Sequence, residues 1–427
     1  MKLRIIAAAV LAATLLGTGG AADARWITTW ATASVPPGAG NQYLPATPAF
    51  QDRTLRQTIR ISAGGSALRV RLTNAYGAAP LAIGGARVAL VDEAGQDRKE
   101  TVRTLTFSGS PTATILKGAP LLSDPVPVTV RPLAKVSITL YLPGDTGPCT
   151  CHPFGLEQTE VSAPGNHLDE PFVAESRTAM RAFLAAVEVD SPGDAQSIAV
   201  LGDSISDGVG STANSFQRWP DLLAWRLAER GSSGWGIANQ GISGNRVLSD
   251  GGGAGDSALA RFDRDILSLP GVTTLILFEG VNDLGLSFGH FEGAFAEEAR
   301  RNPDWKIDPQ QMIAAYRQIV ERSHAKGLKV YGATIAPYKG AFYWSPEGEQ
   351  ARQTVNSFVR TSGLFDAVID FDAVLRDPAD PASIRAGFHP GDHLHGNDAG
   401  YRAMAEAIDL ALFSRGKHPK KDGHDGR

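Results

Sequence analysis

Ile198-Ala199-Val200-Leu201-Gly202-Asp203-Ser204-Ile205-Ser206-Asp207-Gly208 decides how the second half of this chain is read. The apolar run reads as a strand, and Ser204 follows it and opens a helix. Runs of the same kind recur at Thr273–Phe278, Val330–Ile335 and Val368–Phe371, with helical stretches between them. The clearest helix begins at Asp308, a capping residue, with Pro309 in the first helical position. Met312, Ile313, Tyr316, Ile319 and Val320 follow at helical spacing, and Gly327 closes it. A last helix carries Tyr401, Met404, Ala405, Ile408 and Leu412 on one face. Strand–helix alternation predicts an α/β fold, a parallel sheet with helices on both faces.

Upstream of Ser191-Pro192-Gly193-Asp194 the period is two. Leu68–Leu72, Val102–Phe107 and Val136–Leu142 alternate apolar and polar residues, and breaks such as Ala63-Gly64-Gly65 separate such runs. This pattern predicts an antiparallel β-sandwich or jelly roll. The expected organisation is an accessory β-domain over 25–190 and an α/β domain over 195–413.

The ends read differently. Residues 1–24 resemble a secretory signal, with Lys2 and Arg4 ahead of the apolar run Ile5–Leu16 and Ala22-Asp23-Ala24 at the cut. Export to the periplasm or the extracellular space follows as an expectation. Residues 414–427 lack apolar periodicity and read as a flexible tail. The 427 residues carry 41 Lys and Arg against 45 Asp and Glu, a balance that argues against a nucleic-acid partner. No later apolar run is long enough to span a bilayer, so no integral membrane association is expected. Only two cysteines are present, Cys149 and Cys151. An oxidising compartment would allow them to pair, but a bridge across a single residue is tight, so paired and free states both stand.

Ligands of open α/β sheets bind beyond the carboxyl ends of the strands. Four polar clusters should meet there: Gly202–Gly208, Asn239–Asn245, Glu279–Asp283 and His389–His395. Together they can supply acyl-transfer chemistry. Ser204 offers a hydroxyl beside a helix N-terminus and His395 a base. Asp392, three residues earlier, can fold back onto the imidazole. Gly244 can bring a bare backbone N–H close, and Asn282 offers a neutral amide donor for developing negative charge. Each has a plainer reading alone: a strand-end serine caps a helix, and a glycine makes a turn. The histidine-rich loop lacks metalloprotease spacing, so neither a metal nor a cofactor is expected.

The ordered set resembles the SGNH hydrolases, the GDSL esterase/lipase superfamily, over about residues 195–413. The matching blocks are Gly202-Asp203-Ser204, Gly244 within Asn239–Gly244, Gly280-Val281-Asn282-Asp283, and Asp392-His393-Leu394-His395. The resemblance implies a flavodoxin-like domain in which Ser204 is nucleophile, His395 base and Asp392 its orienter. The Ser204 and Gly244 amides and the Asn282 side chain then form the oxyanion hole. The α/β-hydrolase elbow is absent, because Gly202-x-Ser204-x-Ser206 ends in serine. Trp26-Ile27-Thr28-Thr29-Trp30-Ala31 and the β-rich half look similar to exported acetylxylan-esterase-like and arylesterase-like members.

The expectation is a secreted serine esterase for short, acetyl-type esters on a polysaccharide or small molecule. Hydrolysis of longer acyl chains, lipase-like or thioesterase-like, is one alternative, and a carbohydrate-binding protein with a vestigial hydrolase half is another. Tyr338, Phe342, Tyr343 and Trp344 would either line an acyl or sugar subsite or pack beneath the 284–308 insertion. Asp250–Asp256, rich in glycine, reads as a mobile loop beside the second block. Asp203 and Asp207 read as holding the nucleophile turn.

Overall fold

Strand Gln196–Gly202 lies second in a five-stranded parallel sheet, between the edge strand Trp235–Gly241 and the central strand Val272–Phe278, with Lys329–Ala333 and Ala367–Ile369 beyond. The computed structural model describes residues 25–414 apart from 41–44, 170, 192 and 232–233. The expected leader 1–24 and the tail beyond Ser414 lie outside the described residues. In chain order the strands run 2-1-3-4-5, so the winding direction reverses between the first and third strands. Right-handed crossovers then put helices on opposite faces. Trp219–Glu229 packs with Asp398–Ala407, and Pro309–His324 packs with Pro346–Thr361. With both faces covered, Gln196–Gly202 is buried along nearly its whole length.

Helix Pro309–His324 starts as its sequence predicts. The Asp308 carboxylate accepts from Gln310 N–H, and Gln311 returns a bond to Asp308 N–H, each at 2.8 Å. Other boundaries differ from expectation. The last helix ends at Ala407, and Leu410–Phe413 is a separate 3-10 turn. Arg226 donates to the carbonyls of Ala405 and Ile408, satisfying the helix end without a further turn. The run Val368–Phe371 gives a strand only to Ile369, because Asp370 caps a short helix, Phe371–Leu375. Of Val102–Phe107, only Arg103–Thr104 pairs as a strand. Asp124 draws the rest into a turn, accepting from the Thr106 hydroxyl and from Ser108 and Gly109 N–H.

The first half is antiparallel. One sheet orders Arg25–Ala31, Leu184–Ser191, Leu68–Thr73 and Pro120–Leu122. The other orders Ser176–Thr178, Thr159–Pro164, Arg53–Arg60, Lys135–Leu142, Gly85–Leu90 and Arg103–Thr104. Leu55, Ile59, Val70, Ile138, Leu140 and Val187 join one buried cluster drawn from both sheets, which makes a sandwich. Cys149 and Cys151 are bonded to each other and buried. No helix among the described residues is long and apolar enough to cross a membrane.

The two halves meet along the edge strand Trp235–Gly241. Ser197 Oγ donates to Thr28 O at 2.8 Å, Thr28 N–H to Pro270 O at 2.9 Å, and Ile237 N–H to Ser62 Oγ at 2.7 Å. The backbones approach so closely that a Cβ at Gly236 would collide with Thr28 O. Gly236→Ala should therefore cost about 1–3 kcal/mol, the usual range for overpacking, and lower the thermal midpoint. Gly144, with open space around it, provides the control, and Gly144→Ala should leave the midpoint nearly unchanged. Equal midpoints for the two variants would contradict this view of the seam.

Candidate active site

The turn that carries Ser204 is built by backbone constraints. A Cβ at Gly202, on the tip of the strand Gln196–Gly202, would collide with the Ser206 side chain and approach Phe278 O to 2.8 Å. Only glycine lets the chain turn there directly into the helix Ser204–Asp207. Asp203 caps that helix, its carboxylate accepting from Ile205 N–H at 2.9 Å. Ser204 stands in the first helical position, and Gly208, at φ 100°, ends the helix one turn later.

His395 reaches this turn from the far end of the sequence. Its Nε2 lies 2.8 Å from Ser204 Oγ, and its Nδ1 lies 2.7 Å from Asp392 Oδ2. Asp392 Oδ1 accepts from Leu394 and His395 N–H, folding the loop into a tight turn. Burial would raise the Asp392 carboxyl, but the bonds from His395 and Leu394 outweigh it and hold it at about 2. The loop is anchored from behind. Asn397 caps the helix Asp398–Ala407, Tyr401 donates its hydroxyl to Val209 O, and Thr212 bonds the Asp398 carboxylate. These bonds tie the histidine loop to the segment following the helix Ser204–Asp207.

Three donors converge on the same rim. Ser204 and Gly244 N–H make no hydrogen bond among the described residues. Gly244 sits at φ 79° in a turn closed by Asn245 N–H to Ile242 O, a conformation that favours glycine. Asn282 occupies the second position of the helix Val281–Phe288. Its Oδ1 accepts from the Tyr343 hydroxyl at 3.3 Å, and one Nδ2–H goes to Asn245 O at 2.9 Å. The second Nδ2–H is left for a ligand. Arg261, fully buried, donates to Gly202 O, Gln240 O and Asn245 Oδ1 and so joins the first two strand ends to the Gly244 turn. Nothing in the sequence marks Arg261, a lone arginine on a short helix. Among the expected holders of the nucleophile turn, Asp203 caps it. Asp207 accepts from Ser243 N–H and Oγ–H and faces His152.

The aromatic group divides between its two readings. Tyr338 is 0% exposed and Tyr343 nearly so, and their rings stack edge to face. Both belong to the buried core, Tyr338 beside Gly348 and Tyr343 against Gly285 in the 284–308 insertion. Tyr343 acts on the site only through its hydroxyl. Phe342 is 59% exposed and rests on Tyr343, and Trp344 is half-buried. The glycine-rich loop lies beside the second block as expected, but it is fastened there. Asn245 Nδ2 donates to the carbonyls of Ala254 and Asp256, and Asp250 accepts from Ser257 N–H.

Beneath the site lies a group of buried acids. Burial, with Asp283 and Asp207 nearby, pushes Asp203 up to about 7 against the Ile205 bond, and burial pushes Asp283 up to about 6. Glu279 is also raised by burial. Neither of its carboxylate oxygens is hydrogen-bonded, and Arg261 stands 3.7 Å away. A folded-state pKa above the unfolded value of about 4 for an aspartate means stability that is complete below that pH. That stability is lost as pH rises through the folded value. Asp392 acts oppositely, but only as pH falls below about 4. Between pH 5 and 8 the thermal midpoint should therefore decline. Asp203→Asn, which keeps the cap but cannot ionise, should flatten the decline, and an unchanged slope would contradict the assignment.

A family model described as GDSL-like lipase/acylhydrolase matches residues 200–403. No curated protein matches the chain. Similar solved structures include the lipase/acylhydrolase from Enterococcus faecalis, 17% identical over 50% of this chain and 92% of that one, with a TM-score of 0.36. Est24, a carbohydrate acetylesterase from Sinorhizobium meliloti, is 16% identical over 51% of this chain and all 100% of its own, at 0.38. An acetyl xylan esterase is 20% identical over 49% of this chain and 96% of its own, at 0.35. The match to the GDSL-like lipase/acylhydrolase family thus covers residues 200–403, the stretch that holds Ser204, Gly244, Asn282, Asp392 and His395.

Proposed function

We propose that the protein is an exported serine esterase acting on short-chain, acetyl-type esters of a polysaccharide or small alcohol. One observation carries the mechanism: the unbroken line from Asp392 through His395 to Ser204, with links of 2.7 and 2.8 Å. His395 Nε2 takes the proton as Ser204 Oγ bonds to the ester carbonyl carbon. Asp392 accepts from Nδ1–H and stabilises the imidazolium that results. The carbonyl oxygen, now negative, receives the N–H groups of Ser204 and Gly244 and the second Nδ2–H of Asn282. Collapse breaks the C–O bond, and the alcohol leaves with the proton from His395. Water, activated by His395, then attacks the acyl-Ser204 carbonyl, and the acid leaves as Ser204 recovers its proton. No metal or cofactor enters any step.

Support for a short acyl group is that two of the four aromatic side chains are withdrawn from solvent. Tyr338 and Tyr343, which could have lined a long apolar channel, are buried in the core. Support for export comes from the leader-like residues 1–24.

The test joins mutagenesis to a chain-length series of p-nitrophenyl esters. Ser204→Ala or His395→Ala should lower kcat by roughly 10⁴ or more. Asn282→Ala should cost about 10²–10³, the usual loss for one oxyanion donor. Among wild-type rates, acetate or butyrate should be fastest, with acetate released from acetylated xylan. Near-normal activity of either triad variant would overturn the site, and a maximum at long chains would overturn the substrate class.

A further inference from the structure

We propose that His152, which belongs to the antiparallel half, is a positioning residue of the ester-cleaving site. It holds Asp207, and through Asp207 the turn that presents Gly244 N–H to the oxyanion. The proposal rests on the reading of the site given above.

Asp207 ends the four-residue helix that begins with Ser204, and it is buried. Its Oδ2 accepts from Ser243 N–H at 3.1 Å and from Ser243 Oγ–H at 2.6 Å. Ser243 immediately precedes Gly244. One carboxylate therefore fixes the spacing between the nucleophile helix and an oxyanion donor. A buried carboxylate must itself be satisfied, and the partner at Oδ1 is His152 Nε2, 2.9 Å away. That partner comes from outside the parallel-sheet half.

The imidazole is held at both ends. His152 Nδ1 lies 2.8 Å from Ala33 O. A carbonyl can only accept, so Nδ1–H donates to Ala33 O, which fixes the ring with Nε2 facing the Asp207 carboxylate. The backbone carrying the ring is equally constrained. Cys151, next in sequence, is bonded to Cys149, and its carbonyl accepts from Val35 N–H. Cys151 and His152 pair with Ala182 and Arg181. Beside this polar contact, Ala33 and Val35 form a small buried apolar cluster with Ile242, the residue before Ser243. Polar and apolar contacts from one half thus bear on the same three-residue turn of the other.

His152 touches no reacting atom, so its loss should act on the transition state and spare substrate binding. Displacing a donor by about 1 Å is enough to lower a rate by about 10²-fold. The test measures kcat and KM with p-nitrophenyl acetate, and the inhibition constant of a short-chain boronic acid that becomes tetrahedral on the nucleophile, in the full chain. His152→Ala should lower kcat about 10–100-fold with KM nearly unchanged, and should weaken the boronic acid by a similar factor. His152→Gln, which returns an N–H donor toward Asp207, should recover most of the loss. Unchanged kcat in His152→Ala, or Gln no better than Ala in two folded variants, would overturn the proposal. If the His152 variants fail to fold, Ser243→Ala decides it. Removing that hydroxyl should lower kcat several-fold at constant KM, and unchanged kcat would overturn the proposal. Ser204→Ala is measured alongside, since an active Ser204→Ala would indict the site itself, whatever His152 does.

Discussion

The carbonyl of Gly202, at the tip of the strand Gln196–Gly202, accepts from Ile242 N–H at 3.0 Å and from Arg261 Nη2 at 3.1 Å. Most of the active site depends on that junction. The strand that ends there carries Ser204, Ile242 opens the turn that presents Gly244, and Arg261 also grips Asn245, whose carbonyl receives Asn282. The reversal of strand order opens the crevice, and the Gly202 carbonyl determines how its two sides are registered. A side chain at Gly202 would collide with the Ser206 side chain.

Much of this was legible in the sequence, for physical reasons that can be named. A strand covered on both faces must be continuously apolar, so Ile198–Leu201 identified itself. A helix needs its first N–H groups satisfied, so Asp308 and Pro309 gave the start of their helix to the residue. Ser204, Gly244, Asn282, Asp392 and His395 could be grouped because parallel strands deliver their carboxyl ends to one rim. What was not legible depends on partners distant in sequence. Tyr343 reads the same whether its ring faces a ligand or packs against Gly285. The last helix stops at Ala407 because Arg226, some 180 positions earlier, caps its carbonyls. Val102–Phe107 alternates like a strand, yet the Asp124 carboxylate takes the Thr106 hydroxyl and the N–H groups of Ser108 and Gly109 just beyond, and turns the chain there. Arg261 and His152 carry no local signature, since each acts through groups brought near only by folding.

The seam between the halves has the same character. An edge strand with unpaired backbone groups is a liability, and here Thr28, Ser62 and their neighbours cover the edge strand Trp235–Gly241. The cover continues to the Ile242–Gly244 turn through Ala33, Val35 and His152. The antiparallel half is therefore joined to the chemistry by hydrogen bonds to named groups as well as by the chain itself.

The central claim is that Ser204 becomes acylated and is then released by water. Mixing the full chain with excess p-nitrophenyl acetate, following p-nitrophenol on a rapid time scale and mapping an acid-quenched sample by mass spectrometry tests this most directly. The account predicts an acetyl group on Ser204 during turnover and none after the ester is exhausted. Steady turnover with Ser204 unmodified, or an acetyl group that accumulates on another residue and turns over in its place, would contradict it.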